Sequence, residues 1–181
     1  MSAMRTVEAT DRVELVFSLL DADGNGTLEA EDFELLARRV SAVAPESDDA
    51  AKSALLHSCR RYWQTLVTEL DTHGNGQVSR EEFTACVLSP ERFEATIDEF
   101  AVTLAALGAP AGDGLVTRPL FMALMIAIGF ERSRIDALFD AFDPDDSDRI
   151  PEAIWAEGIR DYYRPEKAGI PGDQLTGGAR P

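Results

Sequence analysis

Basic residues are scarce in this 181-residue chain: 17 lysines and arginines stand against 33 aspartates and glutamates, for a formal net charge of −16. Nucleic acid and anionic membrane surfaces are therefore excluded as partners, since affinity for either rests on Lys and Arg. Long apolar runs are missing too. The longest, Leu120 to Phe130, is far shorter than the roughly 18 residues a membrane span needs, and its length predicts a core helix. The first residues, MSAMRTVEATDR, contain no hydrophobic stretch of the kind found in a secretory leader. Cysteine is limited to Cys59 and Cys86, both inside helical patterns, which predicts small apolar fillers in a reducing compartment. The cytoplasm is the expected location. Histidine is limited to His57 and His73, no Gly-rich phosphate loop follows a strand, and Cys59 has no evident base partner, so no enzyme is expected.

What the chain does have is oxygen at regular intervals. In Asp21 to Asp32, DADGNGTLEAED, oxygen-bearing groups stand at loop positions 1, 3, 5, 9 and 12, with Gly26 at position 6. Calcium accepts about six to eight oxygens in a loose geometry, so a short turn with such a ladder can surround it, and a glycine supplies the sharp bend at the sixth residue. An acidic surface turn would also contain DG and NG pairs, but the flanks argue against that reading. Val13, Val16, Phe17 and Leu20 before the loop, and Phe33, Leu36, Ala37 and Val40 after it, are the stripes of two amphipathic helices. A liganding loop between two such helices is the helix–loop–helix unit called the EF-hand.

The unit recurs. Asp71 to Glu82 has Asp71, Asn75, Gly76 and Glu82 at positions 1, 5, 6 and 12, after Trp63, Leu66, Val67 and Leu70. A third copy shows Gly114 and Val116 at positions 6 and 8, then Leu120 at 12 and the stripe Phe121, Leu124, Met125, Ile128; a fourth starts at Asp143 after Ile135, Leu138, Phe139 and Phe142. Leu28, Val78, Val116 and Ile150, all branched and apolar at position 8, predict loops touching back to back through short β-bridges. The first unit pairs with the second and the third with the fourth. The expected fold is all-α, with lobes at residues 1–89 and 90–163 and an irregular tail at 164–181.

The loops are unequally equipped. Loop one offers Asp21, Asp23, Asn25, the Thr27 carbonyl, Glu29 and Asp32; its shorter Asp32 at position 12 lets magnesium compete with calcium. Loop two offers Asp71, Asn75, the Gln77 carbonyl and Glu82, with Ser79 direct or through water, while His73 stands where a carboxylate is expected. A lone imidazole among oxygens makes a poor zinc site, so calcium is expected there. In loop three, counting from the preceding helix (Phe100, Leu104, Leu107) and from Gly114 gives registers one residue apart, which predicts an insertion, and neither register has a first carboxylate. Loop four places Asp143, Asp145 and Ser147 at positions 1, 3 and 5, but Asp148 replaces the glycine and Ile154 the clamp. Two working sites result. Filling them with divalent ions, four positive charges, would move the formal charge from −16 to −12.

Four such units, the degenerate loops, the long spacer between the first two loops and the ending IRDYY resemble the sarcoplasmic-type calcium-binding proteins and their bacterial relatives, over residues 10 to 163. The resemblance implies a compact, mostly helical molecule whose two lobes fold against each other, acting as an intracellular calcium buffer or a calcium-linked regulator. Methionine separates the two roles, because sensors expose Met-rich grooves. Here only Met122 and Met125 of four methionines can line one, which favours a buffer, and a monomer is expected. The alternative is a calcium-switched module presenting a helix face to a protein partner. The tail can dock through Ile170 and Leu175 or remain irregular. Tyr162 and Tyr163 with Trp63 resemble the aromatic-lined cavities of EF-hand proteins that store luciferin-like ligands.

Overall fold

Helices form where the apolar stripes run. The computed structural model describes residues 7–21, 24–70, 77–87, 90–110, 112–164 and 170–176. Among these the helices are α1 (Val7–Leu20), α2 (Ala30–Ala42), α3 (Asp49–Leu70), α4 (Arg80–Val87), α5 (Pro90–Leu107), α6 (Arg118–Ile128), α7 (Arg132–Ala141) and α8 (Glu152–Tyr162). The stripe residues Val13, Val16, Phe17 and Leu20 of α1 are all buried, as are Phe33, Ala37 and Val40 of α2 and Phe121, Leu124 and Met125 of α6. The apolar run from Leu120 to Phe130 is a core helix, opened by Arg118-Pro119, whose fixed φ suits a first turn, and closed by Gly129 at φ 123°.

Two antiparallel ladders join the helices in pairs. Strand β1 (Thr27–Leu28) faces β2 (Val78–Ser79) with Leu28 opposite Val78, and β3 (Leu115–Thr117) faces β4 (Arg149–Pro151) with Val116 opposite Ile150. These are the four position-8 residues, and all are buried. The expected pairing is what the chain adopts. A hydrogen bond contributes about 1 kcal/mol net and a fully buried large apolar side chain about 2 kcal/mol. Ladders of two or three residues therefore fix register, and the helix packing supplies the stability.

That packing runs across both halves of the chain as one core. Helix α5 lies along both α3 and α8, and α2 reaches α6. Tyr62 of α3 sits at the centre, with ring centroids 5.1 Å from Phe33, 4.9 Å from Phe93, 5.7 Å from Phe100 and 6.3 Å from Tyr163. The boundary expected after residue 89 falls beside residues 88–89, outside the described residues. Of the two readings of the tail, docking through Leu175 is the one the described residues show, and the irregular reading fails at Pro171–Thr176. Pro171–Thr176 form a 3₁₀ turn whose Leu175 is buried, and the turn packs on α1, α7 and α8. An apolar side chain finding a cleft between three helices outweighs the Pro and Gly content that predicted disorder.

A buried guanidinium ties the two ends of this core together. Arg12 of α1 is fully buried, and its Nε donates to the Tyr162 carbonyl at 2.8 Å and its Nη2 to the Arg164 carbonyl at 3.1 Å. The Tyr162 hydroxyl returns a bond to the Arg12 carbonyl at 2.9 Å. A cation at a helix C-terminus meets unsatisfied carbonyls and the negative end of the helix dipole, so this charge is solvated by the end of α8. Replacing Arg12 with Met strips donors from those carbonyls and should cost about 3 kcal/mol. Urea unfolding would show this as a lower midpoint at unchanged slope; a loss well under 1 kcal/mol would mean that Arg12 contributes no net stability.

Candidate metal-binding loops

In loop one the backbone folds around its first carboxylate. Helix α1 ends at Leu20, and Asp21 then receives the Asn25 N–H on Oδ1 at 3.2 Å and the Gly26 N–H on Oδ2 at 2.8 Å. Only a turn with Gly26 in the left-handed region, φ 86°, brings both N–H groups back to one side chain. Asn25 continues the winding, its Oδ1 accepting the Thr27 N–H at 2.9 Å and the Thr27 hydroxyl at 3.2 Å. At the far end Asp32 Oδ2 accepts the Glu29 N–H at 2.8 Å, which anchors the position-12 carboxylate at the first turn of α2. Asp23 lies outside the described residues.

Loop two repeats the far end of this arrangement. Glu82 Oε1 accepts the Ser79 N–H at 3.0 Å, and the Glu82 N–H donates to Ser79 Oγ at 3.2 Å, a reciprocal cap on α4. Asp71, His73, Asn75 and Gly76 lie outside the described residues. The two loops also meet through side chains, as the Gln77 amide donates to Glu29 Oε1 at 2.9 Å. Expected only for its carbonyl, Gln77 thus also holds a carboxylate of the neighbouring loop. Among the described residues, no three Asp, Glu, His or Cys side chains converge on one point. Asp21 is engaged at the loop's start and Glu29 and Asp32 at its end. The donors are all hard oxygens on a glycine-hinged turn, a set that suits calcium or magnesium and not a soft metal.

The second loop pair keeps the turns and changes the chemistry. Gly114 at φ 73° matches Gly26, and Asp113 Oδ1 accepts the Leu115 N–H at 3.0 Å just as Asn25 accepts that of Thr27, so the register is the one that starts at Ala109. Gly108 is the inserted residue: α5 stops at Leu107, and the Gly108 N–H bonds the Ala105 carbonyl. A Cβ at 108 would stand 2.8 Å from the Trp155 ring, which is why glycine fits there. In loop four Asp148 adopts φ 61°, the left-handed turn expected of it.

At the first position of loop four, Asp143 also has a left-handed backbone. Asp143 stands at φ 60°, outside the right-handed helical region that a following proline disfavours. Asp145 takes over as the turn acceptor, binding the N–H groups of Ser147 at 2.9 Å and Arg149 at 3.0 Å. Ile154, in the clamp position, is largely exposed. The sequence reading missed Arg118. Its guanidinium contacts Asp148 through Nε at 2.7 Å and Nη2 at 2.9 Å, Asp140 through Nη2 at 2.6 Å and Asp136 through Nη1 at 2.6 Å. The hydrogen bonds that Arg118 donates to Asp148 and Asp140 raise its own pKa further and lower that of Asp148. No spacing rule points to Arg118, because its partners reach it only once β3 and β4 have paired.

A family model for the EF-hand domain pair matches residues 10–88, from α1 to the end of α4. These residues form an EF-hand pair. Calerythrin of Saccharopolyspora erythraea is 25% identical over 167 residues, covering 88% of this chain and 94% of the relative. Among solved structures, a Streptomyces coelicolor calcium-binding protein aligns with TM-score 0.71 at 24% identity, covering 87% of this chain and 98% of that one. A sarcoplasmic calcium-binding protein from amphioxus aligns with TM-score 0.66 at 18% identity over 98% of this chain and 100% of that one. At these identities the structural likeness speaks for the fold. Among the described residues no helix is long and apolar enough to cross a membrane.

Where the EF-hand pair meets the second half, the core leaves a partly open apolar pocket of about 70 Å³ walled by residues such as Leu36, Tyr62, Trp155, Tyr162 and Leu175. An apolar cavity of roughly 150 Å³ is what admits benzene, so this space is too small for a luciferin-sized molecule. Trp63 packs on Phe33 instead of lining it. Cys59 and Cys86 are buried fillers, and burial pushes the Cys59 thiol up to about 12. Burial also pushes Tyr163 up to about 12 and Tyr62 well above its usual value. Unfolded phenols ionise near pH 10, so the folded state holds these protons more tightly, and the stability they contribute is complete below pH 10 and drains as pH rises through 12. In an absorbance titration, two of the three tyrosine signals should therefore appear only with unfolding. Their ionisation near pH 10 in folded protein would show that water reaches the core.

Proposed function

We propose that this protein binds two calcium ions, one in each loop of its EF-hand pair, and serves as a calcium buffer. The single observation that carries the reading is the Asp21 carboxylate wrapped by the N–H groups of Asn25 and Gly26, at the turn where an EF-hand cage begins. Asp21, Asp23, Asn25, the Thr27 carbonyl, Glu29 and Asp32 would hold one ion; Asp71, Asn75, the Gln77 carbonyl and Glu82 would hold the other, with Ser79 or water completing the shell. The bound ion supplies two positive charges to each crowded set of carboxylates. The chain's own part is to hold the carboxylates near one another: Asp32 and Glu82 are tethered to the first turns of α2 and α4, and Gln77 keeps Glu29 beside the second loop. Asp32, a methylene shorter than the usual Glu, favours competition by magnesium at the first site. The likeness to calerythrin and to the amphioxus sarcoplasmic protein supports calcium as the ligand. The third and fourth units share the EF-hand design without holding an ion.

A regulatory reading is favoured by one further observation, that α1 carries both the entrance to loop one and the Arg12 contact with the end of α8. The Streptomyces coelicolor structure, described in terms of calcium-mediated regulation, supports the same reading. Its Met supply argues the other way, since Met125 is buried and Met122 half-buried. Calorimetric titration with calcium should give two binding events, of which Asp21→Ala removes one and Glu82→Ala the other, and excess magnesium should weaken the first site more. A third event would end the two-site reading. Fluorescence of a dye for exposed apolar surface separates the roles: unchanged or falling signal on calcium addition fits a buffer, and a rise makes the protein a sensor.

A further inference from the structure

Arg118 lies where β3 becomes α6, yet its side chain reaches the opposite loop. Asp136 and Asp140 stand one turn apart on α7, the helix entering loop four, and Asp148 is the left-handed residue of that loop's turn. The guanidinium joins all three. It donates to both Asp148 oxygens as a fork and to one oxygen each of Asp136 and Asp140, and it stacks 4.5 Å over the Phe139 ring. Its side chain is only 21% exposed, whereas the Asp136, Asp140 and Asp148 side chains are about half exposed or more. Arg149 extends the pattern from the loop itself, 3.7 Å from Asp145 and 3.9 Å from Asp113. In the first loop pair, Asp21, Glu29 and Asp32 are instead met by neutral backbone N–H groups and an amide.

We infer that Arg118 is the tethered counterion of the second loop pair, holding entering helix, turn and opposite strand together as a divalent ion would, and so directing metal to the first pair. An isolated exposed ion pair contributes little. Here one planar donor fork meets three carboxylates from two elements, the arrangement in which arginine is most effective. Because guanidinium stays charged at every ordinary pH, the second half of the molecule is held whether or not calcium is present. The inference rests on the reading that the first two loops are the ones that take metal, and it explains why loops three and four keep the fold without a clamp residue.

Backbone amide exchange on the full chain, with chelator and with millimolar calcium, tests it. In the unaltered protein, exchange at the Val116 and Ile150 ladder should be indifferent to calcium while that at the Leu28 and Val78 ladder slows; a calcium-blind first ladder would sink the proposed function and leave the Arg118 test readable at the second. Arg118→Met should speed exchange at β3 and β4 about tenfold in chelator, and millimolar calcium or magnesium should restore protection, the diffusible ion replacing the lost charge. Arg118→Lys should stay insensitive to calcium. Loosening that no divalent ion reverses would show that Arg118 merely packs on Phe139, and a calcium response at β3 and β4 in the unaltered protein would equally overturn the inference. If Arg118→Met does not fold, Asp148→Asn, which tolerates the left-handed turn, carries the test: faster exchange at the second ladder supports the counterion role, and unchanged exchange refutes it.

Discussion

Crowding carboxylates into a twelve-residue turn is possible only if something other than the carboxylates holds the turn, and in this chain that is the back-to-back contact of position-8 residues. Leu28 against Val78 and Val116 against Ile150 lock two loops into one unit, with the apolar side chains facing the core and the oxygens facing away from it. Everything else depends on this division of labour. The helices can run outward from each turn because the ladder fixes their starting points, and the turns can vary in chemistry because the ladder does not use their side chains.

That freedom explains the contrast between the halves. Both pairs retain a left-handed sixth residue, Gly26 in the first and Gly114 and Asp148 in the second, and both pairs dock on the same continuous core. What differs is the source of positive charge. The first pair arranges carboxylates around neutral donors, while the second supplies arginines from within the chain. A net charge of −16 is thus met unevenly: Asp136, Asp140 and Asp148 by an arginine of the chain, Asp21, Glu29 and Asp32 by neutral N–H groups.

The architecture was legible in the sequence because apolar spacing and position-8 branching are local signals, and the stripes of α1, α2, α6 and α7 appear at the predicted residues. The one-residue insertion at Gly108 was legible for the same reason. Long-range polar contacts were not. Arg12, Arg118 and the Gln77 side chain take their roles from residues 150, 30 and 48 positions away, which no periodicity encodes. The buried Leu175 shows that a Gly- and Pro-rich composition does not exclude docking when one large apolar side chain is present.

The bond between Arg12 and the Tyr162 carbonyl has a consequence for the order of events during synthesis. It joins residues 150 positions apart, so it cannot exist until α8 has been made. A polypeptide emerging amino end first completes both loops of the EF-hand pair while α8 is still untranslated. Contacts of such long sequence separation form late because the intervening segment must first be ordered. The link between α1 and the end of α8 is therefore made after the residues of both amino-terminal loops have been synthesised.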